Sequence, residues 1–383
     1  RLPLRASKES RLMTDLFSPL TLRGVTLPNR IGVSPMCQYS CAGDGRPTEW
    51  HFAHLLSRAA GGAGLTIVEA SAVTPEGRIS PDDMGIWGEE HVAGHARLAA
   101  GIAALGSVPG IQLAHAGRKA SRNAPWADGR AAPGWEPLGP SNLPFGDYAE
   151  PRAMTEGEIA ATIAAFAEAA RRSIRAGYRF IEIHAAHGYL LHEFLSPLSN
   201  RRNDAWGGDF EGRIRIVLEA TRAVRAAMPD DVPLSVRVSH TDWVEGGWTT
   251  AETVALSQRL KPLGVDLVDV SSGGLDHRQA IPLGPGYQVP GAEAVRRGAG
   301  VAVAAVGLIT EPEHAQAILH EGGADLILLA RALLRDPYWP LHAAAKLGRT
   351  AALHAVPPQY ERAWTTLGAM TRNEAIARKM PPL

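Results

Sequence analysis

Two histidines and a tyrosine follow one short apolar segment and give the sharpest chemical signal in the chain. His184 closes the segment Phe180–His184, His187 comes three residues later, and Tyr189 two residues after that. Two neutral imidazoles can donate hydrogen bonds to one carbonyl oxygen and polarise it, and a neighbouring phenol can supply a proton. The trio therefore suits the reduction of an unsaturated carbonyl compound. A metal site is the alternative, but it needs further ligands.

Other polar residues lie within or directly after apolar segments. Arg237 interrupts the apolar segment Leu234–Val238, and a buried guanidinium needs an anionic partner, either a carboxylate or a ligand. We favour a ligand. Gln112 is either a structural hydrogen-bonding residue or a ligand contact, and Cys37 is either a small buried apolar residue or part of a site.

Eight short apolar segments recur along the chain and predict buried strands, because strands covered on both faces are almost continuously apolar. They are Arg30–Ser34, Leu65–Glu69, Pro109–Leu113, Phe180–His184, Leu234–Val238, Leu267–Val270, Val301–Ala305 and Leu326–Leu329. Amphipathic segments separate them. In Glu156–Ala176 the apolar residues recur every three or four positions, which is typical of a helix with one buried face.

Eight alternating units predict an α/β protein with a single closed (β/α)₈ TIM barrel. The rival is a doubly wound open sheet, but no Gly-x-Gly-x-x-Gly follows the first strand. In a barrel the active site lies at the carboxyl ends of the strands, where His184, Arg237 and Gln112 would converge. Gly307 and the pair Ala330-Arg331 follow the last two strands, as in the phosphate site of many barrels. The long segment Ser121–Arg152 is expected to form a substrate-facing lobe.

Composition excludes several classes of protein. The 39 basic and 39 acidic residues cancel, so charge gives no indication of nucleic acid or an anionic membrane as partner. No apolar stretch is long enough to predict a transmembrane helix. Cys37 and Cys41 are the two cysteines, too few for a disulfide framework or an iron–sulfur cluster, and they suggest a reducing, cytoplasmic location.

Several separate motifs resemble those of the Old Yellow Enzyme family, over about Leu16 to Trp364. They are Ser34-Pro35-Met36-Cys37-Gln38-Tyr39-Ser40, Gln112-Leu113-Ala114-His115-Ala116-Gly117-Arg118-Lys119-Ala120, His184-Ala185-Ala186-His187-Gly188-Tyr189 with the following Leu190–Pro197, and Asn200–Gly208. The Cys37 and Tyr39 motif, with Gln359-Tyr360-x-Arg362-x-Trp364, is similar to the subgroup called thermophilic-like.

The resemblance implies a non-covalent flavin mononucleotide (FMN) and assigns roles to the residues above. Ser34, Pro35, Met36 and Cys37 would line the flavin, with Cys37 tuning its potential, and Ala70 would meet it through the backbone. Gln112 would bind its pyrimidine end, Arg237 would lie beside N1 and the C2 oxygen, and Gly307, Ala330 and Arg331 would hold the phosphate. His184 and His187 would bind the substrate carbonyl, Tyr39 would contact the substrate, and Tyr189 would donate the proton. Relatives usually have glycine at the position of Ala330, so FMN binding here would be slightly weaker.

The implied reaction has two half-reactions. NADPH, or NADH, passes a hydride to flavin N5, and N5 then reduces the C=C bond of an enone or another electron-poor alkene, such as a nitroalkene or quinone, while Tyr189 protonates it. Each hydrogen-bond donor to the oxygen would contribute about 2–4 kcal/mol. No metal is required. The resemblance also implies a homodimer or homotetramer in which Arg362 enters the neighbouring subunit's site.

The resulting organisation has three parts. Residues 1–13 are expected to lie outside the fold, residues 14–350 to form the FMN-binding barrel, and residues 351–383 to form a C-terminal arm. The rival functions are a dienoyl-CoA-type reductase, a metal-dependent hydrolase using His184, His187 and His192, and a flavin-storage barrel without catalysis. The first needs an iron–sulfur cluster and a second nucleotide-binding domain, for which this sequence has neither the cysteines nor the length.

Overall fold

Eight parallel strands close into a barrel in the computed structural model, which describes residues 14–127, 134–349 and 356–365. Each strand pairs with the next along the chain, and β8 closes the ring by pairing with β1. The strands are β1 Ile31–Val33, β2 Leu65–Ala72, β3 Val108–Ala114, β4 Phe180–Ala185, β5 Leu234–Ser239, β6 Leu267–Ser271, β7 Ala302–Ala305 and β8 Leu326–Leu329. All eight predicted strands are present, with bounds shifted by no more than three residues. The prediction of a closed barrel is confirmed, and the open-sheet rival is wrong.

Helices pack around the outside of the barrel; the first eight lie between successive strands and the last three follow β8. They are α1 Glu49–Ala60, α2 Val92–Ala104, α3 Glu156–Arg175, α4 Leu190–Leu195, α5 Phe210–Ala226, α6 Thr250–Leu260, α7 Val289–Ala299, α8 Pro312–His320, α9 Arg331–Arg335, α10 Trp339–Lys346 and α11 Glu361–Thr365. In α3, Thr155 caps the first turn by accepting a hydrogen bond from the backbone N–H of Glu158, 3.2 Å away. Its predicted apolar face turns inward, with Ile159 and Phe166 fully buried.

The apolar residues form two layers on opposite sides of the strands. The larger cluster lies between strands and helices. The smaller one fills the lower barrel interior, where Leu65, Phe180 and Leu326 meet Leu22 and Leu27 of a short N-terminal hairpin. This hairpin closes the amino ends of the strands, so the polar residues of the interior lie toward the opposite mouth.

The described part of the segment Ser121–Arg152 covers one side of that mouth. It contains two short paired strands, Leu138–Gly139 and Arg152–Ala153. The guanidinium of Arg118, just after β3, donates a hydrogen bond of 3.1 Å to the carbonyl of Leu143. Residues 128–133 of this segment, the expected extension 1–13 and most of the arm 351–383 lie outside the described residues. Among the described helices, none is long and apolar enough to span a membrane.

Candidate active site at the carboxyl ends of the strands

A tight turn after β4 places His184, His187 and Tyr189 together. His187 and Gly188 have positive φ angles of 58° and 72°. A Cβ on Gly188 would lie 2.2 Å from the carbonyl oxygen of Gly274, so only glycine fits this close approach. The turn is further held by a 2.9 Å hydrogen bond from the backbone N–H of His187 to Ser239 Oγ. The predicted trio is therefore one local unit, positioned by the neighbouring strand ends.

The ring of buried His184 contacts the rings of both half-buried His187 and half-buried Tyr189. The ring centroid of His184 lies 5.2 Å from that of His187 and 5.2 Å from that of Tyr189, both edge to face. Burial lowers the pKa of both histidines, and the nearby charge of Arg237 lowers them further. Burial also raises the pKa of Tyr189 well above its usual value. At neutral pH the site therefore holds two neutral imidazoles and a protonated phenol, which are hydrogen-bond donors.

Lys119, to which the sequence analysis gave no role, holds the turn after β4 by a hydrogen bond to the backbone of that turn. Its ammonium donates a 2.8 Å hydrogen bond to the carbonyl of His187 and a second bond to that of Gly274. Burial lowers the pKa of Lys119 to about 7. Its nitrogen also lies 5.4 Å from the ring centroid of Tyr189. Lysine in an apolar context after β3 was the available signal, but only the fold shows which backbone it binds.

Arg237 has a carboxylate partner within the protein. Its Nε lies 3.0 Å from Oδ2 of Asp269 on β6, and one terminal nitrogen donates a 3.1 Å hydrogen bond to Ser34 Oγ. β6 therefore supplies a carboxylate partner, Asp269, and the ligand contact favoured for Arg237 stays a prediction. The approach lacks hydrogen-bond geometry, so Arg237 Nε and both Asp269 oxygens have no hydrogen bond among the described residues. This leaves Arg237 able to serve a second anionic group.

Gln112 is anchored by another carboxyl group that the sequence analysis missed. Its Nε2 donates a 2.9 Å hydrogen bond to Oε1 of Glu182 on β4, and Ser235 Oγ donates to Oε2 at 3.1 Å. Glu182 and Asp269 are both fully buried. A single acidic residue in each of two apolar strands, two residues before a polar strand end, was the sequence signal. A period of two places such residues on the inward face.

The loop after β1 carries Cys37 and Tyr39 to the same mouth. Ser34 is buried, Pro35, Met36, Cys37 and Tyr39 are half-buried, and the loop is tied to β2 because the backbone N–H of Gln38 donates to the Glu69 carboxylate. Burial raises the pKa of the Cys37 thiol, and the carboxylates of Asp83 and Glu69 raise it further. Both cysteines are free thiols.

Two residues close the outer part of this loop. Tyr39 has a positive φ of 48°, a strained conformation for a tyrosine. Its ring meets that of Trp126 edge to face, with centroids 5.5 Å apart. An aromatic pair of half-buried Tyr39 and exposed Trp126 thus flanks the opening.

A small cavity behind Tyr189 contains Ala70. It holds about 10 Å³, the volume of one water, and is also lined by His184 and by the carboxyl group of Asp83. Burial raises the pKa of Asp83 to about 7. Within the described residues, His184 Nδ1 is buried without a hydrogen-bond partner. Ala70 is therefore within the site, and Asp83 is a further polar neighbour that the sequence analysis did not identify.

A larger cavity of about 180 Å³ lies beyond β7 and β8 and brings together Gly307, Ala330 and Arg331. Gly307 has a φ of 120°, and a Cβ there would lie 2.8 Å from Gln288 Nε2. Arg331 is exposed and makes no ion pair within the described residues. A glycine that no side chain can replace beside a cationic residue suits a phosphate group.

These features fit FMN. The cavity at Gly307 and Arg331 is suitable for the phosphate, and Ser271 connects it to the mouth because this residue both lines the cavity and lies 2.7 Å from His187 Nε2. Arg237 offers a positive charge with an unused Nε–H at the mouth. The donor set therefore matches an anionic tail at one end and a polar ring that gains negative charge at the other.

His192 does not join the other histidines. Its Nδ1 accepts a 2.9 Å hydrogen bond from the backbone N–H of Gly188, and its Nε2 lies 2.9 Å from the Asp242 carboxylate. Nδ1 is thus occupied by the turn, and Nε2 lies beside a carboxylate without hydrogen-bond geometry. This arrangement opposes the metal-hydrolase alternative.

Arg362 belongs to a C-terminal segment that contacts α10. It is exposed on α11, next to a contact in which the ring centroid of Trp364 lies 5.2 Å from that of His342 on α10. Tyr360 similarly contacts Tyr338, with centroids 6.3 Å apart. The segment thus packs on the outside of the barrel, and its predicted role in a neighbouring subunit stays a prediction.

Comparison with known proteins gives the family. The sequence model of the NADH:flavin oxidoreductase / NADH oxidase family matches residues 15–349. A protein named NADPH dehydrogenase from Geobacillus sp. (strain WCH70) is 50% identical over 353 residues, which cover 92% of this chain and 99% of that protein.

Two solved structures show the same barrel. An Old Yellow Enzyme homologue from Zymomonas mobilis superposes with a TM-score of 0.73 at 26% identity, over 87% of this chain and 93% of that one. A 2-naphthoyl-CoA reductase has a TM-score of 0.79 at 28% identity, over 87% of this chain but only 52% of the other. The resemblance to Old Yellow Enzyme and the prediction of FMN as cofactor are confirmed, while the thermophilic-like subgroup stays a prediction. The chain belongs to the NADH:flavin oxidoreductase / NADH oxidase family and is an FMN-dependent oxidoreductase.

Proposed function

We propose that this protein is an NAD(P)H-dependent ene-reductase that reduces the activated C=C bond of α,β-unsaturated carbonyl compounds and related electron-poor alkenes. The observation that carries the proposal is the cluster of His184, His187 and Tyr189, in which the ring centroid of His184 lies 5.2 Å from that of His187 and 5.2 Å from that of Tyr189. When bound, FMN would supply the redox chemistry, the transfer of a hydride from NAD(P)H to the β-carbon of the alkene.

His184 and His187 bind and polarise the substrate carbonyl. Their lowered pKa values keep them neutral, so each offers one N–H donor without the cost of a buried positive charge. For His187, Ser271 lies 2.7 Å from Nε2 and can set which nitrogen carries the proton. Polarisation draws electron density from the β-carbon, which becomes the electrophile.

Tyr189 donates the proton to the α-carbon. The raised pKa keeps the phenol protonated before the reaction, and its contact with His184 places it beside the carbonyl-binding histidines. Tyr39, at the outer edge, contacts the substrate.

The remaining assignments concern the cofactor. Ser34, Pro35, Met36, Cys37 and the backbone of Ala70 line the flavin, and Cys37 lies near its ring, where it tunes the potential. Gln112 and Arg237 hold the pyrimidine end. Gly307, Ala330 and Arg331 hold the phosphate. Their location at one mouth, with the cavity at Gly307, supports this set.

Two further assignments complete the proposal. The protein acts as a homodimer or homotetramer in which Arg362 enters the neighbouring site, in agreement with its exposure on the outside of the barrel. The donor is NADPH, as the name of the 50% identical relative suggests, and NADH is the alternative. We place the enzyme in the cytoplasm on the basis of its two free thiols.

An anaerobic flavin spectrum tests the proposal directly. We expect the purified protein to show a flavin band that NADPH bleaches and that cyclohexenone restores. A band that bleaches but does not return would remove the ene-reductase assignment and leave a flavin oxidoreductase of another substrate class. A protein that binds no added FMN would contradict the cofactor assignments as well.

A further inference from the structure

Two fully buried carboxyl groups lie beneath the mouth of the barrel, and the proposed reaction uses neither. Glu182 on β4 and Asp269 on β6 face the barrel interior, between the smaller apolar cluster and the site. Each contacts one side chain proposed to hold the flavin pyrimidine. Buried carboxyl groups are costly unless they are paired, so their contacts need an explanation.

Glu182 fixes the orientation of the Gln112 amide. A glutamine amide can be turned by 180° and exchange its donor and acceptor ends. Here Nε2 of Gln112 donates to Glu182 Oε1 at 2.9 Å, while Ser235 Oγ holds Oε2 at 3.1 Å. Because Glu182 offers an acceptor at this point, the amide NH₂ of Gln112 is held inward and its carbonyl oxygen is left for a ligand.

Asp269 contacts Arg237 at the same level of the barrel interior. The two side chains are in register on paired strands, and the Arg237 Nε to Asp269 Oδ2 distance is 3.0 Å. Ser34 holds the other end of the guanidinium at 3.1 Å. Ser34 thus holds the guanidinium by a hydrogen bond and Asp269 by a charge contact without hydrogen-bond geometry, so the charge of Arg237 is balanced within the protein.

The charges of the groups around Arg237 limit how many of the two carboxyl groups can be ionised. Arg237 is the cation that faces both carboxyl groups. His184 lies opposite Arg237 on the paired strand, and the pKa of His184 is lowered. Burial raises the pKa of Glu182, and the neighbouring charge of Asp269 raises it further. Burial raises the pKa of Asp269 as well, and the charge of Arg237 counteracts the rise in both carboxyl groups. One guanidinium balances one carboxylate, and Asp269 is the carboxylate at contact distance.

We propose that Glu182 and Asp269 are positioning residues for the flavin: Glu182 fixes the Gln112 amide, and Asp269 aligns Arg237 and balances its charge, so that the pair sets the affinity and reduction potential of FMN. This rests on the proposed contacts of Gln112 and Arg237 with the flavin. It adds two residues to the site that touch the cofactor only through others.

The Asp269→Asn variant tests the charge balance. Removing the carboxylate leaves the Arg237 charge uncompensated, which favours the reduced flavin with its added negative charge. We expect the equilibrium for flavin reduction to shift at least tenfold toward the reduced form, a rise of about 30 mV for a two-electron couple. The measurement is an anaerobic spectroelectrochemical titration of the holoenzyme.

Asp325→Asn is the matched control. Asp325 binds Arg296 with both oxygens, at 2.9 and 3.0 Å, and lies just before β8 at the amino end of the barrel. The same change of side chain in this carboxylate–guanidinium pair should leave the potential unchanged. Equal potentials for the Asp269→Asn and Asp325→Asn variants would overturn the role of Asp269.

A pair of variants at Glu182 tests the amide orientation. Glu182→Leu removes the acceptor, so the dissociation constant of FMN should rise at least tenfold. Glu182→Gln should restore binding to near the wild-type value, because its carbonyl can accept from Gln112 and its amide can donate to Ser235 Oγ. Unchanged FMN binding in Glu182→Leu would overturn the role of Glu182.

Melting temperatures of the apo-proteins separate positioning from stability. A purely structural role predicts that Glu182→Leu and Glu182→Gln both lower the apo melting temperature and that neither changes FMN affinity or potential, which would also overturn the proposal. If Asp269→Asn fails to fold, the Glu182 pair alone decides. Neither assay contains an alkene, so failure of enone reduction would leave these results interpretable.

Discussion

The imidazole ring of buried His184 lies edge to face against the phenol ring of half-buried Tyr189, with centroids 5.2 Å apart. One side chain comes from the end of β4 and the other from the start of the following helix. A hydrogen-bond donor and a proton donor are thus fixed relative to each other before substrate arrives. Catalysis by positioning depends on this kind of prior order.

Tyr189→Phe should slow the alkene half-reaction by about 10²–10⁴-fold, the usual effect of losing a general acid. Reduction of the flavin by NADPH should stay near the wild-type rate, because that step needs no proton from Tyr189. Stopped-flow spectroscopy follows both steps separately. Tyr178→Phe is the control, since Tyr178 is a buried tyrosine that bonds His95 at 2.8 Å behind the strands. Full-speed alkene reduction in Tyr189→Phe would assign the proton to another group.

His184→Ala should lower the rate of alkene reduction by about 10²–10³-fold, as expected when one of two donors to a developing negative charge is lost. The double variant with His187→Ala should cost less than the product of the two single effects, because both donors act on one oxygen. Single-turnover rates with cyclohexenone measure this. Loss of only FMN binding, with normal rates in the reconstituted enzyme, would contradict the carbonyl-binding role.

Ala330→Gly should tighten FMN binding a few-fold, because it removes a methyl group from the wall of the proposed phosphate cavity. Gly307→Ala should have the opposite and larger effect. Its Cβ would lie 2.8 Å from Gln288 Nε2, and a φ of 120° is strained for any residue with a side chain. Fluorescence titration of the apo-protein with FMN gives both dissociation constants. Equal affinities in the two variants would place the phosphate elsewhere.

Glu193→Gln should change how stability depends on pH. Burial raises the pKa of Glu193 to about 8, whereas an unfolded glutamate titrates near about 4.3. Between these values the folded protein binds the proton more tightly, so the contribution of Glu193 to stability is full below the lower value and is lost as pH rises toward 8.

The amide introduced by Glu193→Gln would keep the acceptor for the 2.9 Å hydrogen bond from the Arg118 N–H without ionising. The stability of the variant relative to wild type should therefore increase from pH 5 to pH 8 in urea unfolding experiments. A difference that stays constant with pH would show that Glu193 ionises normally in the folded protein.

Mixed oligomers test whether Arg362 acts on the neighbouring site. We expect Arg362→Ala and Tyr189→Phe each to reduce turnover as pure assemblies. A mixed assembly has sites that combine Tyr189 from one subunit with Arg362 from the other, so activity should reappear if the arginine acts between subunits. No recovery after verified subunit exchange would mean that Arg362 acts within its own chain or not at all.

The sequence by itself determined the barrel and most of the residues at its mouth. Alternation of apolar strands with amphipathic helices is a local pattern, and closure of eight such units brings the carboxyl ends of the strands together. Once that is known, His184, Gln112 and Arg237 must converge, since the strand period of two decides which side chains face inward.

Only the tertiary structure decided which groups pair inside. Arg237 and Asp269 are 32 positions apart, and Gln112 and Glu182 are 70 positions apart, so no local pattern connects them. Their contact depends on strand register, in which Arg237 lies opposite Asp269 and Gln112 opposite Glu182. The same holds for Lys119, whose burial against the carbonyl of His187 follows from the loop that covers it. Strand register and burial are properties of the closed sheet. They determine which charged groups meet, whereas the sequence shows only that these groups are present.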